Sequence, residues 1–242
     1  MKVALVTGAN KGIGFETARQ LAEQGMTVLM GSRDISKGEN AAALLREIGL
    51  DVHPVKLDVT NNEDILALRK LIAEKYGKLD ILVNNAGMIQ GETFAENSTT
   101  TISQHNLQAT FNTNFFSIVN ITQQLLPLIE KSDAGRIVNL SSILGSLTLH
   151  ADTSSPTYTS KSFAYNASKT ALNQFTIHLA AALHNTNIKV NSAHPGWVKT
   201  DLGSDAAPMS QAQGAKTGVA LATLPADGPT GKYIHMGKEL PW

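Results

Sequence analysis

A tyrosine and a lysine four residues apart, Tyr165 and Lys169, head an apolar-periodic run that continues through Leu172, Phe175 and Leu179. On a helix that spacing sets both groups on one face, one turn apart, so that an ammonium can act on a phenol from a fixed distance. The chemistry this allows is proton transfer. An unperturbed tyrosine, with a pKa of about 10, is a poor acid at neutral pH, and a neighbouring positive charge favours its ionisation. The pair alone is common enough to arise by chance on a solvated helix face. Its meaning depends on whether the rest of the chain brings further polar groups to the same place.

The elements that would do so alternate regularly. Short apolar runs at Val3 to Val6, Thr27 to Met30, Val52 to Leu57, Ile81 to Val83, Arg136 to Leu140, Ile188 to Ala193 and Tyr233 to His235 have the length and composition of buried strands. Between them lie helical patterns ending at Ala22, Ile48, Tyr76 and Leu183, and one long helix whose stripe includes Phe115, Ile118, Leu125 and Ile129. Strict alternation predicts an α/β fold: a doubly wound parallel sheet of about seven strands with helices on both faces, in a single domain over residues 1–242. Residues 91–104 read as a polar loop, and residues 142–164 as a long irregular stretch. In such sheets ligands sit beyond the carboxyl ends of the strands, where Gly8, Asn84, Ser141, Ser142, Pro195 and Gly196 all fall.

Composition excludes several functions. The chain of 242 residues has 20 basic and 20 acidic side chains, so it lacks the positive footprint of a nucleic-acid binder or a polybasic membrane anchor. It has no cysteine, which removes disulfides, thiolate metal sites and cysteine nucleophiles. His178 and His184, six apart on one helix, do not meet at one metal; the histidines read as core or surface residues and no metal site is expected. No apolar run is long enough for a bilayer span or a signal peptide, so a cytoplasmic protein is expected.

The stretch Thr7-Gly8-Ala9-Asn10-Lys11-Gly12-Ile13-Gly14 joins the first strand to the first helix. There, backbone N–H groups and the helix N-terminus can receive a pyrophosphate, although the glycine spacing differs from G-x-G-x-x-G. With Asn85-Ala86-Gly87 after strand four, Ser142 after strand five, the Tyr165/Lys169 pair and Pro195-Gly196 after strand six, the chain resembles the short-chain dehydrogenase/reductase family over essentially its whole length. Lys11, the segment Pro195 to Asp201 and the ending Gly237 to Trp242 most resemble the carbonyl reductase branch.

The resemblance implies a Rossmann-type sheet and an NAD(P)-dependent oxidoreductase acting on a small-molecule carbonyl or alcohol, as a monomer or small homo-oligomer. It maps the general acid onto Tyr165, its electrostatic helper and ribose anchor onto Lys169, the substrate-binding serine onto Ser142, and a water-orienting member onto Asn114. On its residue type alone, Asn114 would be a helix-interior amide making local bonds. Asp58 and Val59 resemble the family's adenine contacts, and Val198 and Thr200 its nicotinamide contacts. The second strand ends Gly31-Ser32-Arg33, so Arg33 and Lys11 place two cations, with Ser32 as a neutral donor, where a 2′-phosphate would lie. NADP(H) is therefore expected over NAD(H), the rivals being that Asp34 takes a ribose diol or that Arg33 is only a solvated loop charge.

One departure stands out: Ser142 and Tyr165 are 23 residues apart, about ten more than the family usually has. The extra residues lie around His150 to Pro156, where carbonyl reductase-like members also carry an insertion, and this loop is expected to border the substrate pocket. The alternative to an enzyme is a dinucleotide-binding regulator or scaffold that keeps the fold without turnover.

Overall fold

The computed structural model describes residues 1–91 and 97–242. Eight strands form one sheet in the order β3-β2-β1-β4-β5-β6-β7-β8: β1 (Val3–Val6), β2 (Thr27–Ser32), β3 (Val52–Lys56), β4 (Ile81–Asn84), β5 (Arg136–Leu140), β6 (Lys189–Ala193), β7 (Tyr233–His235) and β8 (Lys238–Glu239). Every pairing is parallel except β7 with β8, a short charged strand that closes the edge as an eighth member beyond the seven expected. At the other edge, β3 tolerates Pro54 because an edge strand need not offer every N–H to a ladder.

The strands sort their side chains by alternation. Ala4 and Val6 of β1 face one core, shared with helices α1 (Gly12–Glu23), α2 (Ile35–Glu47) and α8 (Gln211–Ala222). Val3 and Leu5 face the other, shared with α3 (Asn62–Lys75), α5 (Ser117–Ile129) and α7 (Phe163–Ala182). A continuous apolar run is thus the signature of burial on both faces.

Three differences from the sequence reading have local causes. Helix α2 begins at Ile35, well before Ala41, because Asp34 caps it, its carboxylate accepting from Ser36 N and Lys37 N at 3.0 and 3.2 Å. The expected single helix through Phe115 is α4 (Gln104–Phe111), a π-helical turn (Asn112–Phe116) and then α5. Of the polar stretch at 91–104, residues 92–96 lie outside the described residues.

Helix α8 is absent from the apolar-stripe reading because its buried face is built from Gly214, Ala215, Gly218 and Ala222 with only Val219 and Leu221 as large residues. Its start is written in a capping box: Gln213 N donates to Ser210 Oγ while Ser210 N donates to the Gln213 side chain. The small face lets α8 lie against α1 and the sheet.

Beneath the carboxyl edge a buried polar chain ties strands to helices. Asn84 Nδ2 donates to Thr122 Oγ1 and to Asn139 Oδ1, Asn139 Nδ2 donates to Thr176 Oγ1 at 2.9 Å, and Ser192 Oγ donates to the same threonine at 2.9 Å. At the opposite end of β5, the guanidinium of Arg136, 3% exposed, donates to the carbonyls of Gly135, Asn187, Leu224 and Pro225. The Asn187, Leu224 and Pro225 carbonyls lie where the chain leaves α7 and α8, so the guanidinium ties both connections to the start of β5. Replacement Arg136→Met is expected to lower unfolding free energy by about 1–3 kcal/mol in urea titration, since the charge-assisted bonds to the Leu224 and Asn187 carbonyls are lost.

Candidate active site

Three side chains expected to act together do meet. Tyr165 and Lys169 lie on the first two turns of α7, 7% and 4% exposed, and the Ser142 side chain lies close enough to the Tyr165 phenol to lower its pKa. Lys169 reaches back across β5, its ammonium donating to Leu140 O at 2.8 Å, and Nζ sits 5.6 Å from the centroid of the Tyr165 ring. Burial governs both groups. It pushes the Tyr165 phenol up to about 12 against the lowering effect of the Ser142 contact, and it brings the Lys169 ammonium down to about 8. A nearby ammonium was expected to favour phenolate; in the folded chain burial sets the direction instead, and Tyr165 is held as the neutral phenol.

Ser142 is presented by a short 3-10 turn (Ile143–Gly145), its Oγ accepting from Leu144 N at 3.3 Å. The turn lies flush on α7 because Gly145 has no side chain: a Cβ there would stand 2.8 Å from the Lys169 carbonyl carbon and 2.9 Å from its Cβ. Ser141 faces away from that contact, toward the buried phenol of Tyr233. Alternation along the strand thus separates the two serines.

Asn114, fully buried in the π-helical turn, commits its side chain to protein groups. Oδ1 accepts from Met88 N at 2.8 Å, and Nδ2 donates to Met88 O at 2.8 Å and to Ser168 Oγ at 3.1 Å. This two-way clamp holds Gly87 so close that an added Cβ would lie 3.4 Å from Asn114 Oδ1 and 3.5 Å from Lys169 Nζ. The amide expected to orient a water is engaged in ordering the segment beside the lysine.

The glycine turn is locked to the strand-four segment. Thr7 Oγ1 accepts from Asn85 N and Ala86 N at 3.0 and 2.9 Å, and Asn85 Nδ2 donates to Thr7 O at 2.8 Å and Gly8 O at 3.2 Å. Gly14 admits no Cβ, which would stand 2.4 Å from both Gly8 O and Asn85 Nδ2. Lys11 is the N-cap of α1 with no side-chain cap, so the Gly12, Ile13 and Gly14 end of the helix is offered without a capping acceptor.

Beside this turn opens a cavity of about 730 Å³ lined by Asn10, Lys11, Gly12, Ser32 and Arg33, together with Asp34, Lys37, Asn40 and Gln211. The Ser32 hydroxyl is turned inward, donating to Asp34 O at 2.7 Å, and the Asp34 carboxylate caps α2. Lys11 is ion-paired with Asp201, joining the glycine turn to the segment after β6. Lys37 is a cation the sequence reading missed; its position four residues after Arg33, in the first turn of α2, is the signal that could have found it. Asp58, after β3, uses Oδ1 to accept from Thr60, and Val59 is buried in the core.

Pro195 and Gly196 follow β6, and Val198 is buried 3% exposed, with the Thr200 hydroxyl accepting from Gly203 N at 3.1 Å. The insertion after Ser142 contains a short helix α6 (Leu147–Ala151), where a loop was expected. It is fastened by Thr148 N donating to Trp242 O, by Phe163 N donating to Asn97 O, and by Lys161, which donates to His150 O at 3.0 Å beneath the Tyr158 ring at 4.4 Å. Among the described residues no group of acidic and histidine side chains could hold a metal, and no helix is long and apolar enough to cross a membrane.

A doubly wound parallel sheet with a glycine turn at β1 and a buried serine, tyrosine and lysine beyond β5 defines a nucleotide-dependent oxidoreductase class. The short chain dehydrogenase family model matches residues 2–211, and the chain belongs to that family. It is 34% identical to mouse carbonyl reductase [NADPH] 1, covering 99% of this chain and 98% of that protein, and 30% identical to (+)-neomenthol dehydrogenase of Capsicum annuum, covering 97% and 95%. The solved structure of the carbonyl reductase Sniffer of D. melanogaster superposes with a TM-score of 0.85 at 26% identity, covering 100% of this chain and 99% of the other. The chain is carbonyl reductase-like within its family.

The contact between Gly145 and α7 sets a sharp contrast with Gly218, whose added Cβ would meet nothing within 4 Å. Gly145→Ala is expected to cost about 1–3 kcal/mol in thermal or urea unfolding by forcing the turn off the helix, and Gly218→Ala to be neutral or stabilising.

Proposed function

We propose that the protein catalyses the NADPH-dependent, reversible reduction of an aldehyde or ketone carbonyl to an alcohol. The observation that carries this reading is the gathering of Ser142, Tyr165 and the buried Lys169 ammonium at the carboxyl edge of the sheet, with Nζ bonded to Leu140 O and 5.6 Å from the Tyr165 ring centroid. When bound, the cofactor would supply the hydride. Ser142 hydrogen-bonds the substrate oxygen and stabilises the negative charge that develops there, and Tyr165 delivers the proton to that oxygen. Lys169 would hold the ribose hydroxyls of the bound cofactor, and its positive charge would favour proton loss by the tyrosine. Asn114 orders Gly87 and Met88 against the lysine.

The residues present fit a phosphorylated dinucleotide. The uncapped N-terminus of α1 suits a pyrophosphate. The adjoining cavity carries Arg33 and Lys37, with Lys11 paired to Asp201, against one lining carboxylate, Asp34, that accepts from the first turn of α2. This balance favours a 2′-phosphate over a bare ribose diol. The mouse and bovine carbonyl reductases to which the chain is similar are NADPH enzymes by name, which supports the same preference. The insertion between Ser142 and Tyr165, with Leu147 exposed, borders the substrate and sets specificity.

Three outcomes test this reading. In a spectrophotometric screen of NADPH and NADH against aldehydes, quinones, ketones and sugars, NADPH turnover should fall by about 10²–10⁴ in Tyr165→Phe; an undiminished rate would remove Tyr165 from its role. Combined Arg33→Ala and Lys37→Ala should raise KM for NADPH about ten- to a hundredfold and leave that for NADH nearly unchanged, because charge-assisted contacts to the phosphate are lost. Lys169 carries its charge below about pH 8 and loses it above, so the reduction rate should decline on that alkaline side; a rate that stays flat to pH 10 contradicts the proposed need for the ammonium.

A further inference from the structure

The direction in which Ser142 points depends on the 3-10 turn after it, and that turn is held from two sides. On the α7 side, Gly145 O accepts from Thr170 Oγ1 at 3.0 Å and from Asn173 Nδ2 at 3.4 Å. On the other side, the first N–H of the turn, Ile143 N, donates to Nδ1 of His194 at 3.2 Å. The same nitrogen accepts from Gly196 N at 3.4 Å. Gly196 has φ 92° and opens the segment that carries Val198 and Thr200. One imidazole lone pair therefore serves two chain segments that leave the sheet at neighbouring strands.

The ring itself is fixed. His194 is 8% exposed at the end of β6, where its backbone N–H donates to Ile234 O at 2.9 Å. The ring of His235 lies 4.7 Å away at 42°, and His235 Nδ1 donates to His194 O at 2.8 Å. An Nδ1 that accepts from two amides must be unprotonated, which puts the proton of the neutral ring on Nε2. Burial and the neighbouring His235 bring the His194 pKa down to about 3, so the acceptor form persists through the neutral range.

We infer that His194 is a positioning residue for carbonyl reduction: its Nδ1 is the shared acceptor that sets the separation between the Ser142 turn and the Pro195-Gly196 turn. Serine hydroxyl and nicotinamide-contacting segment are thereby presented to the same substrate carbon and oxygen. This rests on the reading of Ser142 and of residues 195–200 as parts of a reductase site. Sequence alone leaves His194 among the scattered histidines, because its two partners are backbone groups 51 and two residues away.

Substitutions separate the two arms. Asn carries an acceptor oxygen at the same distance along the side chain as Nδ1, Leu fills comparable space with no acceptor, and Gln moves the acceptor one carbon further out. Ile143→Pro deletes the donor without touching His194. Proline is tolerated at the first position of a helical turn, and Ser142, at φ −153° and ψ 146°, already has the extended backbone that must precede it.

The experiment is steady-state kinetics of the full chain with NADPH and an aldehyde or ketone that the unsubstituted enzyme reduces, with circular dichroism and melting curves for every variant. His194→Leu is expected to lower kcat about ten- to a hundredfold and to raise KM for NADPH several-fold, two orphaned amides accounting for the loss. His194→Asn should stay within about threefold of the unsubstituted enzyme in both, and Ile143→Pro should lower kcat while leaving KM for NADPH unchanged, because the Gly196 bond survives. If His194→Leu does not fold, the Asn and Gln variants decide, Gln expected to lose kcat and Asn to keep it. A folded His194→Leu enzyme with unchanged kcat, or Asn variants as impaired as their Leu or Gln counterparts, would overturn the inference. A Ser142→Ala enzyme that keeps full activity would instead unseat the site assignment on which it rests.

Discussion

The burial of one ammonium is the constraint around which the site is built. Lys169 gives up water almost completely, and it can do so because Leu140 O accepts from it at 2.8 Å at the end of β5. That bond pulls α7 onto the carboxyl edge of the sheet and requires its neighbours to be thin. Gly145 must lack a Cβ where the serine turn meets the lysine backbone, and Gly87 passes close to Nζ on the other side. Tyr165, one turn earlier on the same helix, is then delivered to Ser142.

Around this centre the polar groups that look available from their types are mostly already committed. Asn85 spends its amide on Thr7 O and Gly8 O, Asn114 clamps Met88, and Asp34 caps α2. Such commitments keep buried donors and acceptors paired, and they turn flexible loops into a rigid edge against which a cofactor and substrate can be oriented. The groups without a partner among the described residues are correspondingly informative. Arg33 and Lys37 face the cavity beside the glycine turn, whereas Lys11, although it lines the same cavity, is drawn to Asp201.

Electrostatics in this edge is dominated by desolvation rather than by pair attraction. Tyr165 is pushed up and Lys169 brought down, each toward its neutral form. A neutral phenol poised against Ser142 is the form needed to protonate a developing alkoxide, so burial and the proposed direction of proton transfer agree. His194 follows the same rule at the far side of the serine turn, its neutral ring serving as a fixed acceptor.

The alternation of apolar strands and amphipathic helices by itself determined the α/β class, the parallel sheet, and the edge on which Gly8, Asn85, Ser142, Tyr165 and Pro195 would gather, because periodicity and turn residues are properties of neighbours in the chain. It was insufficient where a feature depends on something other than an apolar stripe: α8 buries glycines and alanines, the π-helical turn at Asn114 interrupts a helix whose pattern runs straight through it, and α6 condenses from a loop-like stretch. Only the tertiary structure decided which polar side chains are engaged, that burial sets the direction of the Tyr165 shift, that Lys37 joins Arg33, and that His194 links two loops. Those outcomes depend on distances between segments remote in sequence and on how much water each group loses, and neither quantity is carried by residue type or spacing.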